Sequence, residues 1–315
     1  MNRRHFLVFL STAAGWGGCS WTTTDKKQLQ TSTTTETEDE TPFFRDDSSN
    51  ILLRYRFKKG EELRWNVQHT LKMKNIIGGV EENIETSSRS VKIWKTIDVD
   101  AKGAATFEYR VEDIDTHKAQ TGYDDAKYNS RQDKMIPQEF FNLTGKIGIP
   151  LAHIKIDSQG QTLSKKPIRE YEGSVSENRI VIPLPDEPVG VGSSWTEIKQ
   201  IDLPQPNQTV KKIKVRHEFT LEKLQSGLAT IKFSTVIFTP LSPQEESQLL
   251  ENFSVGTMVL DLQLGHFIRH QATIDRQVVG VQGTSDSIRY LSQTTECCCG
   301  RRACDICSTV GVPKM

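Results

Sequence analysis

Five cysteines crowd the C-terminal end of the chain, at Cys297, Cys298, Cys299, Cys304 and Cys307, and the sixth, Cys19, stands alone near the start. Cys304-x-x-Cys307 is a spacing at which two thiolates can bind one Zn²⁺, with Cys299 as a candidate third ligand. Cys299-x4-Cys304-x2-Cys307 also matches part of a plant-type iron–sulfur spacing, without the fourth ligand or the surrounding fold. The alternative is a tail that forms disulfides, internal or between molecules. No metal or other cofactor is assigned, and these three thiols remain the metal candidates. His266 and His270 form a His-x3-His pair. Their flanks alternate like a strand, which would hold them about 13 Å apart, too far to share one metal. Acidic pairs at Glu61-Glu62 and Glu245-Glu246 fall at a turn and at a helix start, where solvated carboxylates are routine. Trp65, Trp94 and Trp195 read as core or interface residues. No nucleophile elbow, phosphate-binding loop or dinucleotide fingerprint is present, so no catalytic residue is assigned.

Such groups must be positioned by a body, and the chain builds one mainly from strands. Leu53, Tyr55 and Phe57 alternate with Arg54, Arg56 and Lys58, then Leu63, Trp65, Val67, Leu71 and Met73 with Arg64, Asn66, Gln68, Lys72 and Lys74. Period-two alternation predicts strands with one dry and one wet face. Asp100-Ala-Lys-Gly103 and Gln225-Ser-Gly227 are hairpin turns between such runs. Helical pattern is scarce: a short helix from Pro243, capped by Ser242, and a turn near 137–143. Pro183, Pro185 and Pro188 make a stiff connector between two halves, 51–182 and 190–295. The halves echo one another: Gly60 to Trp65 matches Gly190 to Trp195, and the Gly160 turn matches the Gly265 turn. The expected fold is a large curved antiparallel sheet, a partial barrel or a sandwich, over 51–295. Phe107, Tyr109, Phe233 and Ile237 would face inward, around a lipid-sized cavity if the sheet curls and in a full core if it is a sandwich.

Composition narrows the function. Lys plus Arg and Asp plus Glu are both 40, so the net charge is zero, which argues against a nucleic-acid partner. Mean hydropathy is −0.49, and no run approaches the ~18–20 apolar residues of a membrane-spanning helix. Residues 20–50, rich in threonine and acidic side chains, have too little apolar surface to fold and read as a disordered tether.

The first residues carry an address. Arg3-Arg4-His5-Phe6-Leu7, followed by a short apolar stretch, resembles the twin-arginine export signal. Gly17-Gly18-Cys19 resembles a lipobox, with Trp16 where an aliphatic residue is usual. The resemblance makes 1–19 a signal peptide, Arg3 and Arg4 its export determinants, and Cys19 the acylated residue. With Ser20 following, it implies the periplasmic side of the outer membrane.

Further along, Arg54-Tyr-Arg-Phe-Lys-Lys-Gly-Glu61, Ile156-Asp-Ser-Gln-Gly160, Leu184-Pro-Asp-Glu-Pro-Val-Gly-Val-Gly-Ser-Ser-Trp195 and Leu260-Asp-Leu-Gln-Leu-Gly265 resemble a family of exported proteins common in planctomycete-type genomes, of undefined function. The resemblance covers about 51–291 and implies an envelope location and a β-rich fold; a fainter one links the chain to incomplete-barrel lipoprotein carriers. The expected function is non-enzymatic binding of an apolar ligand or a partner. A periplasmic scaffold without a small-molecule ligand is the alternative, and an enzyme with an unrecognised site ranks third. Residues 296–315 are set apart as a Cys-rich tail.

Overall fold

The computed structural model describes residues 50–168, 181–205 and 208–298. The strands are β1 (Glu62–Ile77), β2 (Val80–Val99), β3 (Ala105–Gln120), β4 (Ala126–Asn129), β5 (Pro150–Ile156), β6 (Thr162–Pro167), β7 (Ser194–Pro204), β8 (Val210–Gln225), β9 (Leu228–Ile237), β10 (Val255–Asp261), β11 (His266–Val279) and β12 (Ser287–Cys298). Helical structure among the described residues is confined to α1 (Pro243–Gln248) and 3-10 turns at Gln138–Leu143 and Leu250–Asn252. α1 starts as the sequence dictates: the Ser242 side chain accepts the Glu245 N–H, the Glu245 carboxylate accepts the Ser242 N–H, and Pro243 opens the first turn.

All twelve strands form one antiparallel sheet in the order β6-β5-β3-β2-β1-β12-β11-β10-β9-β8-β7, with β4 added beside β3. The first half runs outward from the centre to one edge, and the second runs inward from the other edge. The two meet where β1 pairs with β12, from Trp65 opposite Cys298 to Ile76 opposite Ser287. The expected hairpin turns are present. Ser226 and Gly227 both have positive φ, the signature of a two-residue turn that matches strand twist. Asp100 and Gly103 close the β2–β3 turn through the Gly103 N–H to the Asp100 carbonyl.

The sheet curls. Ile154 and Ile156 on β5 share one apolar cluster with Phe219 and Leu221 on β8. These strands are eight steps apart in the sheet order, roughly 38 Å if it were flat at about 4.8 Å per step. Of the two forms expected, this is the curled single sheet and not a two-sheet sandwich.

Its concave side is filled from within. Residues 51–57, expected as a strand from their alternation, are extended but make no ladder; only Ile51 bridges, to Val189. The segment crosses the trough and drops Leu53, Tyr55 and Phe57 into the core. The Phe57 ring meets the Phe107 ring edge-on at 4.9 Å, and Tyr55 stacks on Phe57 at 5.6 Å. Val181, Ile182 and Leu184 of the Pro-rich connector fill the space beside them. The Tyr55 hydroxyl accepts the Ile182 N–H at 2.9 Å and donates to the Ile182 carbonyl at 3.1 Å, tying the two fillers together.

The two echoing glycine turns hold this plug from both sides. The Tyr55 N–H donates to the Ser158 carbonyl and the Arg56 N–H to the Gly265 carbonyl. Gly160 and Gly265 both sit at positive φ. A Cβ at Gly160 would lie 2.2 Å from the Ile182 carbonyl oxygen, and one at Gly265 would lie 2.6 Å from Arg56 Cβ. Glycine is required there for conformation and for close approach alike.

Farther along the concave face, Leu71, Met73, Ile274, Val278 and Tyr290 form a second apolar cluster. Leu203, Ile213 and Val215 form a third. The helical segment covers both, contributing Leu250 to one and Leu249 to the other, with Phe253 packed against each.

Candidate functional site

Between the plugged end and the helix-covered end, the concave face turns polar. Register sets this band: Ser90 lies opposite Val67, which lies opposite Glu296, which lies opposite His270. Lys92, one pair along β2, reaches across β1 so that its Nζ lies 3.2 Å from Glu296 Oε1, while His270 Nδ1 lies 3.0 Å from Glu296 Oε2. Lys92 and Glu296 are both buried. Burial alone pushes the Glu296 pKa up, but the His270 hydrogen bond and the Lys92 charge outweigh it and hold it at about 2. A carboxylate held so low is a poor proton acceptor at neutral pH. The cluster is built to keep a charge paired inside the trough. Next to it His69 Nε2 lies 3.0 Å from Ser292 Oγ, and burial followed by the Lys92 charge holds its pKa below the usual histidine value.

A cleft of about 360 Å³ opens on the convex face, lined by Arg64, Asn66, Asp113, Asp115, Asn129 and Arg131 among others. It exists because of a β-bulge. Val91 faces Asp113 and Lys92 faces Val111, so Glu112 is the extra residue, and extra residues bend a strand and re-aim side chains. Arg64 pairs with Glu112 and Arg131 with Asp113. The Arg64 hydrogen bond holds Glu112 below the usual carboxylate range. The Asn129 side chain accepts the Arg131 N–H, and Asp133 accepts the Asn129 N–H. Such a cleft suits hydrogen-bonding groups and not an acyl chain. A second, of about 210 Å³, lies among Lys223, Gln225, Leu228, Thr230, Val259, Ile268 and Arg269.

Arg3, Arg4, Cys19, Cys299, Cys304 and Cys307 lie outside the described residues. Cys297 and Cys298 lie inside the sheet, because β12 runs on through them. The tail boundary at 296 therefore falls three residues early: Glu296, Cys297 and Cys298 are buried, and Cys298 belongs to the main core. Neighbours on a strand point to opposite faces, so these two thiols do not converge on one ion. His266 and His270 do lie on one strand, but a bulge at Ile268 turns them to opposite faces; His266 Nδ1 lies 2.9 Å from the Phe267 carbonyl. Among the described residues no three His, Cys, Asp or Glu side chains gather as a metal cradle. Trp65 and Trp94 are buried in the core and Trp195 packs at its margin. Phe107, Tyr109 and Phe233 face inward and are packed. Sequence reasoning missed Lys92 and Glu296. One visible signal was a lone lysine between Val91 and Ile93 in an apolar run.

No protein-family model and no curated protein matches the chain. Among solved structures, one of lipid–protein interactions in lipovitellin is similar at 8% identity and a TM-score of 0.40, over 78% of this chain and 26% of that one. DynF from the dynemicin biosynthesis pathway of Micromonospora chersina is similar at 4% identity and a TM-score of 0.20, over 79% of this chain and 85% of that one. The chain thus spans about a quarter of the lipovitellin chain. At these scores the likenesses carry no argument about ligand or role. No helix of the described residues is long and apolar enough to cross a membrane.

Proposed function

We propose that this is an exported, lipid-anchored, non-enzymatic binding protein of the bacterial envelope that engages a protein partner through its outer surfaces, with its apolar trough kept for itself. The supporting observation is the plug: Leu53, Tyr55, Phe57, Ile182 and Leu184 occupy the space where an acyl chain would lie. Burying that much apolar surface is what stabilises so large a curled sheet, and vacating it for a ligand would cost much of that gain. The polar convex cleft supports the same reading, since its chemistry fits peptide-like groups. The address rests on Arg3, Arg4 and Cys19, and the threonine-rich stretch would let the body reach away from the membrane.

The test uses the full chain carrying Cys19→Ala, freed of detergent, and titrates it with a fluorescent fatty acid. No saturable one-to-one binding is expected. Stoichiometric binding displaced by palmitate would mean that the trough opens, and the apolar-ligand reading would replace this one. For the address, Cys19→Ala should release the protein from membranes, and joint Arg3→Lys and Arg4→Lys should retain the precursor in the cytoplasm. Unchanged membrane fractionation of the first variant overturns the anchor.

A further inference from the structure

The sheet is open, and its edges differ. β6 is short, mostly exposed, and carries Lys165, Lys166 and Pro167, features that discourage another strand from adding on. β7 spans eleven residues, and β8 is its one strand partner among the described residues.

The direction of its backbone groups can be read from the ladder. At one end the Gln205 N–H donates to the Thr209 carbonyl, and at the other the Leu221 N–H donates to the Ser193 carbonyl. Pairing between them runs without a register shift. Antiparallel pairs alternate between bonded and non-bonded, so residues 195, 197, 199, 201 and 203 bond to β8. The N–H and C=O groups of Thr196, Ile198 and Gln200 therefore point away from it. Ile198 is also 68% exposed.

We propose that β7 docks against β7 of a second copy, antiparallel about a two-fold axis through Ile198. Ile198 would meet its own copy in a bonded pair, flanked by Thr196 with Gln200 in a second bonded pair on either side. The non-bonded pairs, where side chains approach most closely, would set Glu197 against Lys199 and Trp195 against Ile201. Glu197 and Lys199 pair with each other along the strand at 3.2 Å in the single chain. The two-fold exchanges the two intrachain contacts, one in each copy, for two cross-strand ones. Charges facing the concave side are a common guard against arbitrary strand addition, and here a strand with the reversed charge order sets opposite charges across both pairs. A second copy offers that order, so specificity and attraction come from the same residues. This rests on the surface-binding reading above and names one occupant for it.

Sedimentation velocity of the full Cys19→Ala chain under reducing conditions should show a monomer–dimer equilibrium. Glu197→Lys sets lysine against lysine across the axis and should weaken the dimer about tenfold, while the double exchange Glu197→Lys with Lys199→Glu should restore it. Ile198→Pro removes an amide that β8 does not use, so the fold should survive and the dimer should not. In the dimer, hydrogen exchange should slow at the Thr196, Ile198 and Gln200 amides. A monomer at every concentration, or a dimer indifferent to Glu197→Lys and Ile198→Pro, overturns the proposal. A monomer that still binds no fatty acid sinks only the second copy, whereas fatty-acid binding sinks the surface reading itself.

Discussion

The plugged end and the central band of the concave face occupy neighbouring rows of the same strands, yet they are held by different physics. At the plugged end, aromatic and aliphatic groups from non-adjacent strands and two segments outside the sheet's ladder interdigitate, and two glycine turns fix the approach. In the band, Lys92 and Glu296 form a buried ion pair with His270 hydrogen-bonded to the carboxylate, and neither charge is tolerable without the other. The first region loses stability by degrees as atoms are removed. The second is all-or-none, since removing one partner strands a buried charge.

The largest expected effect strikes both at once. A chain ending at Thr295 loses Glu296 from the band and Cys298 from the core, and should be less stable by at least about 4 kcal/mol than one ending at Cys298. Parallel urea melts measure the difference. Next, Phe107→Ala empties the space against Phe57 and Trp94 and should cost about 3–5 kcal/mol, read from the denaturation midpoint at neutral pH.

Acid separates the regions. The folded pKa of Glu296, about 2, is depressed from its ordinary 4.5. The unfolded chain therefore binds more protons in between. The contribution of about 3 kcal/mol is fully present above pH 4.5 and is lost as pH falls from 4.5 towards 2. Melts across that window should show this acid limb in the wild type and in Phe107→Ala, and a shallower one in Glu296→Gln. An equally steep limb in Glu296→Gln would mean that other carboxylates set the acid response. The smallest effect falls outside both regions: Ser242→Ala removes a helix cap and should cost about 1 kcal/mol in the same melts, with the acid limb unchanged.

Much of the body was legible because one of its faces is dry. Leu63 to Met73 alternate since every second side chain enters the trough, and the turns at Gly103 and Gly227 announce themselves by residue type. The outer reach of β2, Glu81 to Ser90, carries no such mark. Apart from Ile84, which packs against the second apolar cluster, it is polar on both faces and is set by pairing with β1, beyond the Gly78-Gly79 turn that was there to be read. Residues 51–57 misled in the opposite sense, because alternation reports a dry and a wet side whether or not a ladder forms. The candidate sites were hardly legible at all. Lys92 and Glu296 are 204 residues apart, and the convex cleft depends on a bulge at Glu112 that no local pattern specifies. Glu296 was further hidden by the cysteines after it, which drew the strand's end into an apparent tail.

The sheet's central seam joins its first strand to its last, Trp65 to Cys298. Pairings so distant along the chain are slow, because a very long loop must close before any contact rewards it. During synthesis β1 emerges early and waits with one edge unsatisfied until β12 leaves the ribosome. The plug meets the same delay, since its clamp at Gly265 also arrives late. Completion of this body therefore waits on the arrival of β12, and any partner or chaperone that meets the chain sooner meets an open seam.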